Sequence, residues 1–447
     1  MIALPTLSNF RVHSTDDKIV HLVFDMPDRS MNVFTNKAIH EIETFADWLA
    51  GADVRGVVIS SGKTNAFCAG ADLSELSNAY DMIMATATDQ RDTVTVAHFA
   101  PIGRAFRKLE TAGKPVAVAV HGLALGGGCE LMLACHYRVL TNAPETQIGL
   151  PESLVGLLPG GGGTQRFPRL VGAKASLGVL LKGERFDAAR AVMTGAASAA
   201  VAPGEEVAAA EAWVRSDPDP RQPWDKADWR PVEVAEMLAV TGPVRAAFLA
   251  ESGGHYPAEL AILDCLDRGV PKQMAEGVAE EIDVFKDLVQ RIEPRNMIAV
   301  MFLGRVDYDK RRRKNALPAG LDDLAQAVAT AMDDKAASLG NTGARARRFC
   351  GLDVETTADV EAAAAISQRK PQWFEAPRDD IERAALAILA AGALAAARVG
   401  TSIPAGERNL ADFHCQQATR FPRYLGGPFT FFEHFGEARC RALGAGA

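Results

Sequence analysis

Two glutamates sit beside two glycine runs in this chain, and that pairing is the stretch best suited to chemistry. Glu130 directly follows "GLALGGGC" (122–129), and Glu152 comes shortly before "GGGG" (160–163). A glycine run at a strand-to-helix junction permits positive φ and lets a ligand meet bare backbone. The first N–H groups of the helix then face whatever fills the turn, and the helix dipole favours negative charge there. Two such donors, aimed in advance, form an oxyanion hole. A second donor segment is offered by "AFCAGADLSEL" (66–76), whose small "AGAD" follows a strand and precedes a helix. Two carboxyls at such turns could hold a water, one as acid and the other as base. Tight βα turns and a first-turn anion stabilised by the dipole would use the same residues without any chemistry. Neither GxxxxGK[ST] nor GxGxxG occurs, so the nucleotide and dinucleotide fingerprints are missing.

The elements that must hold these residues read as alternating strands and helices. "KIVHLVFD" (18–25) and "VRGVVIS" (54–60) are β-branched runs of strand length, and "TNKAIHEIETFADWLA" between them has helical apolar spacing. A third strand, "KPVAVAVHG", leads into the first glycine run, and "CELMLACHY" reads as a short helix after it. The pattern predicts an α/β domain with a largely buried sheet. After about residue 205 the sequence turns mostly helical, broken by the proline- and tryptophan-bearing loop "SDPDPRQPWDKADWRP" (216–231). The charged "DKRRRKNALPAG" (309–320) reads as a linker, and the alanine-rich remainder as helical. The domains expected are a core over 1–200, a helical extension over 201–312, a linker over 313–340 and a helical segment over 341–447.

Bulk composition narrows the class. The chain has 447 residues, 48% hydrophobic and 23% charged, which suits a globular protein of more than one domain. Its net charge of −8 argues against a general nucleic-acid binder. Seven cysteines are scattered without CxxC or His/Cys ligand spacing, the pattern of reduced thiols rather than a disulfide framework or zinc site. No signal peptide is read at the N-terminus. The apolar run "AALAILAAGALAAA" (384–397) is short for a membrane span and reads as a buried helix, so a cytoplasmic location without a membrane span is expected.

"FCAGADLSEL", "KPVAVAVHGLALGGGCELMLACHYRV" and "IGLPESLVGLLPGGGGTQRFPRLVG" together resemble the crotonase superfamily, and within it the enoyl-CoA hydratases, over roughly residues 10–200. The resemblance implies stacked ββα turns forming a small spiral. It implies catalytic roles for Glu130 and Glu152 and oxyanion-hole donors at the N–H groups of Ala71 and Gly127. Ala69, Gly70, Asp72, Leu73, Gly126, Pro151 and Gly160 would line the substrate. The reaction implied is syn addition of water to a trans-2-enoyl-CoA, with no metal and no cofactor besides the coenzyme A carried by the substrate. The segment between the two glutamates is two residues longer than in many simple hydratases, the extra length falling in the loop "LTNAPETQ". Isomerases of the superfamily often keep only the glutamate matching Glu152, so both acids together favour a hydratase.

The second half is similar to α-subunits of multifunctional fatty-acid oxidation enzymes, through "RQPWDKADW", "YPAELAILDCLDRG" and "PRNMIAVMFLGRVDYDKRRRK". Such subunits continue into a 3-hydroxyacyl-CoA dehydrogenase, yet no strand followed by GxGxxG appears after residue 315. "FPRYLGGPFTFFEHFG" (421–436) resembles the end of that dehydrogenase's helical C-terminal domain. The expectation is a hydratase without dehydrogenase activity. The alternatives are an isomerase or lyase on a branched, aromatic or steroid-derived acyl-CoA, and a catalytically silent acyl-CoA-binding subunit. A homo-oligomer, or a thiolase or dehydrogenase partner, is left open. Plainer roles are expected elsewhere: packing for His136, Tyr137, Cys68 and Cys129, loop anchoring for Trp224 and Trp229, and local structure for Arg166.

Overall fold

The computed structural model describes residues 4–353 and 373–445. Residues 354–372, part of the expected 341–447 helical segment, lie outside the described residues, as do Met1 to Ala3 at the N-terminal end. Strand β2 (Ile19–Phe24) is buried at all six positions, because both its faces are covered. It pairs antiparallel with β1 (Phe10–Ser14) and parallel with β3 (Gly56–Ser61). Between β2 and β3 lies helix α1 (Asn36–Gly51), capped by Thr35, whose side chain accepts from the Ala38 N–H.

The chain then repeats a unit of two strands and a helix. Strand β3 is followed by β4 (Ala66–Cys68) and helices α2 (Leu73–Ala85) and α3 (Arg91–Glu110). Strand β5 (Val116–Val120) is followed by β6 (Leu123–Leu125) and the short helix α4 (Gly127–Leu133), and β7 (Tyr137–Thr141) by β8 (Gln147–Gly149). First strands of successive units line up in a six-stranded sheet, β1-β2-β3-β5-β7-β10, where β10 is Ala199–Val201. Second strands form a four-stranded sheet, β4-β6-β8-β9, where β9 is Arg185–Asp187. Each unit therefore adds one parallel strand to both sheets, which is the spiral of ββα turns expected. One detail differs: the third predicted strand does not run unbroken into the glycines, because β6 intervenes and joins the second sheet.

Helices α5 (Gly163–Val171), α6 (Ala173–Lys182), α7 (Ala188–Thr194) and α8 (Glu206–Arg215) complete this part. Ala210 and Val214 of α8 pack on Ile19, Val58, Ala117, Ala119 and Val139 of the six-stranded sheet.

Contacts group the chain into two units, Met1–Thr241 with Glu259–Gln290, and Gly242–Ala258 with Arg291–Ala447. The first unit thus includes the helix Met274–Val289, beyond the residue-200 boundary expected for the core. The second unit is helical. Its core joins Leu324, Val328 and Met332 with Leu386, Ile388, Leu389 and Ala393 and with Phe421, Tyr424 and Phe431. Residues 313–340, expected as a linker, carry the helix Leu321–Ser338 instead. Its Leu321, Leu324, Val328, Met332 and Ala336 recur at helical spacing and are buried, and that stripe places the segment in the core. The apolar run 384–397 lies in the helix Asp380–Val399, capped by Asp379 and buried along most of its length. Among the described residues it is the one helix long and apolar enough to cross a membrane.

Candidate active site

The first glycine run sits where β6 becomes α4, and its members are not interchangeable. Gly126 caps α4 with φ 52° and ψ −127°, a conformation essentially reserved for glycine. Gly128 stands against Cys68, where a Cβ would lie 2.7 Å from the Cys68 carbonyl oxygen. The Gly126 N–H is bonded to the Gly149 carbonyl of β8, and the Gly126 carbonyl accepts the Glu130 N–H. Gly127 is the first residue of α4, so its N–H belongs to the turn whose donors have no acceptor within the helix.

Ala71 lies across from this turn. In the bridge between Phe34 and Ala71, Phe34 donates to the Gly70 carbonyl and accepts from the Asp72 N–H. Parallel pairing of that kind turns the N–H of the middle residue, Ala71, away from Phe34. A Cβ on Gly70 would lie 3.8 Å from the Gly127 nitrogen and 3.2 Å from the Leu125 oxygen. The two donor segments expected from the sequence are therefore neighbours, separated by 55 residues of chain but by van der Waals distance in space.

Glu130 projects from the first turn of α4 and is 2% exposed. Its Oε1 accepts from the Gly161 N–H at 2.7 Å and the Gly163 N–H at 2.8 Å. The intervening donors serve a different acid. Glu281, wholly buried on the helix Met274–Val289, accepts from the Gly162 N–H at 2.7 Å and the Thr164 N–H at 3.1 Å, and also from the Thr164 hydroxyl. The second glycine run is thus an alternating comb of four N–H groups between two carboxylates. Burial raises Glu130 to about 7, against the opposing pull of the Gly163 and Gly161 donors and Arg166. Burial also raises Glu281, to about 8, with the Glu130 charge adding to the rise.

Glu152 opens a short 3₁₀ turn (Glu152–Val155) after Pro151. Its Oε2 is buried without a hydrogen-bond partner among the described residues. Its Oε1 faces Gly126, where a Cβ would lie 2.8 Å away. Burial first, and then the charges of Glu130 and Glu281, push this carboxyl well above the usual range. Burial raises both glutamates, but the polar neighbours differ in kind: the donors and Arg166 around Glu130 favour its anion, and the acids around Glu152 favour its protonated form.

The other expected residues fall around this centre in different ways. Ala69 and Leu73 are half-buried beside Ala71, while Gly70 is buried. The Asp72 carboxylate is already engaged: it caps α2 through the Ser74 and Glu75 N–H groups and pairs with Arg29 at 2.8 Å. Gly160 rests against the Phe285 ring at 3.4 Å from its would-be Cβ. Arg166 is fully buried and holds Glu110 with Nε at 3.1 Å and Nη2 at 3.0 Å, while Nη1 donates to the Gly161 carbonyl at 2.9 Å. The peptide units on both sides of Gly161 are therefore held, one through its N–H by Glu130 and the next through its carbonyl by Arg166.

Side chains given plainer roles have packing partners. Burial raises the Cys68 thiol to about 12 and Cys129 well above its ordinary value, so neither is a ready thiolate. The His136 Nδ1 accepts from the Val116 N–H, leaving Nε2 to donate to the Glu110 carbonyl. Tyr137 stacks on Trp213 with centroids 5.0 Å apart, Trp224 is buried, and Arg169 lies over the Trp229 ring.

Comparison with known sequences gives this arrangement its family. Residues 15–219 match the family described as enoyl-CoA hydratase/isomerase. Residues 15–219 belong to the enoyl-CoA hydratase/isomerase family. That hydratase/isomerase core holds both glycine runs, Glu130 and Glu152, and stops short of Glu281. Among relatives, the fatty acid oxidation complex subunit alpha of Shewanella loihica is 36% identical over 308 residues, 66% of this chain and 41% of that one. The subunit of the same description from Shewanella halifaxensis is 35% identical over 302 residues, 66% of this chain and 40% of its own. The chain thus matches about two fifths of the length of these relatives. Among solved structures, an enoyl-CoA hydratase from Bacillus halodurans is 16% identical, covers 65% of this chain and 99% of its own, and has a TM-score of 0.47. DspI from Pseudomonas aeruginosa is 27% identical, covers 48% of this chain and 82% of its own, with a TM-score of 0.42.

Sequence reasoning missed Glu281. A signal was available: with Gly277, Val284, Phe285 and Leu288 it occupies the buried stripe of an amphipathic helix. A carboxylate there must find donors, because an unpaired buried charge is prohibitive.

Proposed function

We propose that the hydratase/isomerase core adds water across the double bond of a trans-2-enoyl-CoA. The observation that carries this reading is the contrast between its two buried acids. Glu130 has two N–H donors on one oxygen, and Glu152 has an oxygen without a partner among the described residues. In the scheme, Glu130 as carboxylate takes a proton from water while the water oxygen bonds to the β-carbon. The double-bond electrons shift toward the thioester, whose oxygen gains negative charge between the N–H groups of Ala71 and Gly127. Glu152 as carboxylic acid delivers its proton to the α-carbon, and electrons return from the oxygen to complete the new C–H bond. The sum is one water added, with both acids restored by proton exchange afterwards. Each oxyanion donor is worth roughly 3 kcal/mol of barrier in sites of this type. Coenzyme A enters as part of the substrate.

The test follows the loss of conjugated enoyl-thioester absorbance with crotonyl-, decenoyl- and an aromatic enoyl-CoA. Turnover by the wild type that is lost in both Glu130→Gln and Glu152→Gln supports the hydratase and ranks its substrates. Binding of all three without turnover overturns it. An isomerase would instead tolerate Glu130→Gln.

A further inference from the structure

The four successive donors at Gly161, Gly162, Gly163 and Thr164 alternate between Glu130 and Glu281. Each peptide unit is a rigid plane hinged to the next at a single Cα, so fixing the second and fourth donors limits the orientations open to the planes that carry the first and third. We infer that Glu281 is a positioning residue, which aims the Gly161 and Gly163 N–H groups at Glu130 by holding Gly162 and Thr164 from the other side. The role rests on the reading of Glu130 as the base.

Three observations support it. Glu281 is fully buried, and its two oxygens accept three donors, all from the glycine-run segment. Thr164 cannot turn away freely, because its hydroxyl also accepts from the Gln165 side chain at 3.0 Å. Gln165 is itself tied to the Cys265 carbonyl. The other bonds at these positions fall on carbonyls, Gly161 accepting from Arg166 and Gly162 from the Gln165 and Arg166 N–H groups, so the Gly162 and Thr164 N–H groups are aimed by Glu281.

The titratable and charged groups facing Glu281 come from several elements: Glu130 on α4, Glu152 after β8, Arg166 and Arg169 on α5, and the Cys265 thiol on the helix Pro257–Gly269. This crowd gives the test a sign. Were Glu281 only a neighbouring titratable group, replacing it by an amide would leave the Glu130 pKa unchanged or lower. A positioning role predicts the opposite. The amide can accept one N–H but turns its own donors toward the other, the loop shifts, and Glu130 loses donors that favour its anion.

The experiment uses Glu281→Gln in the full chain and two readouts. The 13C-carboxyl resonance of Glu130, assigned by its disappearance in Glu130→Gln, is titrated without substrate. Turnover and the affinity for a saturated acyl-CoA are then measured. The expected result is a Glu130 titration above that of the wild type, with kcat down by about tenfold to a hundredfold and acyl-CoA affinity unchanged. A Glu130 titration equal to or below the wild type overturns the inference, whatever the activity. If the wild type titrates as expected but hydrates nothing, the functional reading fails while the positioning result still stands. Should Glu281→Gln not fold, Thr164→Val removes one of the three donors and is read by the same titration, an upward shift supporting the role and no shift overturning it.

Discussion

Gly126 and Glu152 are fitted to each other: a Cβ on the glycine would lie 2.8 Å from the Glu152 Oε1. The same glycine holds φ 52° at the start of α4. Gly126→Ala therefore meets two penalties, a strained backbone of about 1–3 kcal/mol and a displaced acid. We expect hydration to fall at least about a hundredfold, with a lowered melting temperature. Parallel turnover and thermal-unfolding measurements check both. Full activity in Gly126→Ala would show that Glu152 works from another position.

Glu130→Gln and Glu152→Gln should each lower kcat by about 10²–10⁴, the usual range for a lost general acid or base. Their effects on stability should be opposite to those on activity. Glu152→Gln removes a carboxyl that burial holds in its acid form. The variant should melt higher than the wild type near pH 8, and calorimetry would show it.

The pH dependence follows from the same groups. A carboxyl whose folded pKa is raised contributes its stability fully below the unfolded value near 4.3, and loses it as pH climbs through the folded value. For Glu130 that window runs from about 4.3 to about 7. The melting temperature should fall across this window, and the slope should shrink in Glu130→Gln. Activity should rise over the upper part of the same window as Glu130 ionises, then fall at higher pH as Glu152 gives up its proton. The two limbs belong to the coupled pair. A flat profile of kcat from pH 5 to 9 would remove these acids from the rate-limiting step.

Arg166→Met should be among the most destabilising single changes in the first unit. It leaves Glu110, at a wholly buried position, with Arg107 alone as an ion-pair partner among the described residues. Breaking such a pair costs about 3–5 kcal/mol. Chemical denaturation measures the loss, and a change below about 1 kcal/mol would show that water or Arg107 compensates.

Much of the site was legible in the sequence because its chemistry lies in short contiguous pieces. The turns at 126–130 and 160–163 carry their glycines and acids within a few residues of one another. What was not legible depends on partners far along the chain. Glu281 reaches Gly162 across 119 positions, and Arg166 reaches Glu110 across 56. Neither separation leaves a local pattern that names the partner, although the apolar stripe around Glu281 marks it as buried. The helix Leu321–Ser338 was read as linker because the flanking proline, glycine and charges outweighed its apolar stripe. Strand β6 was hidden because three residues give no periodicity to count.

Under the proposed reaction, the alternating comb at 161–164 also implies a division of labour. Every donor in that stretch is already committed to one of the protein's own acids, so none is left for an incoming thioester. In the proposed reaction, the donors for the charge that forms on the substrate are then those of the other glycine run and Ala71. The two runs look alike on paper, yet in the proposed reaction one tunes proton affinity inside the protein and the other receives the guest. Changes in the second run should therefore surface first as altered acidity, and changes in the first as altered grip on the thioester oxygen.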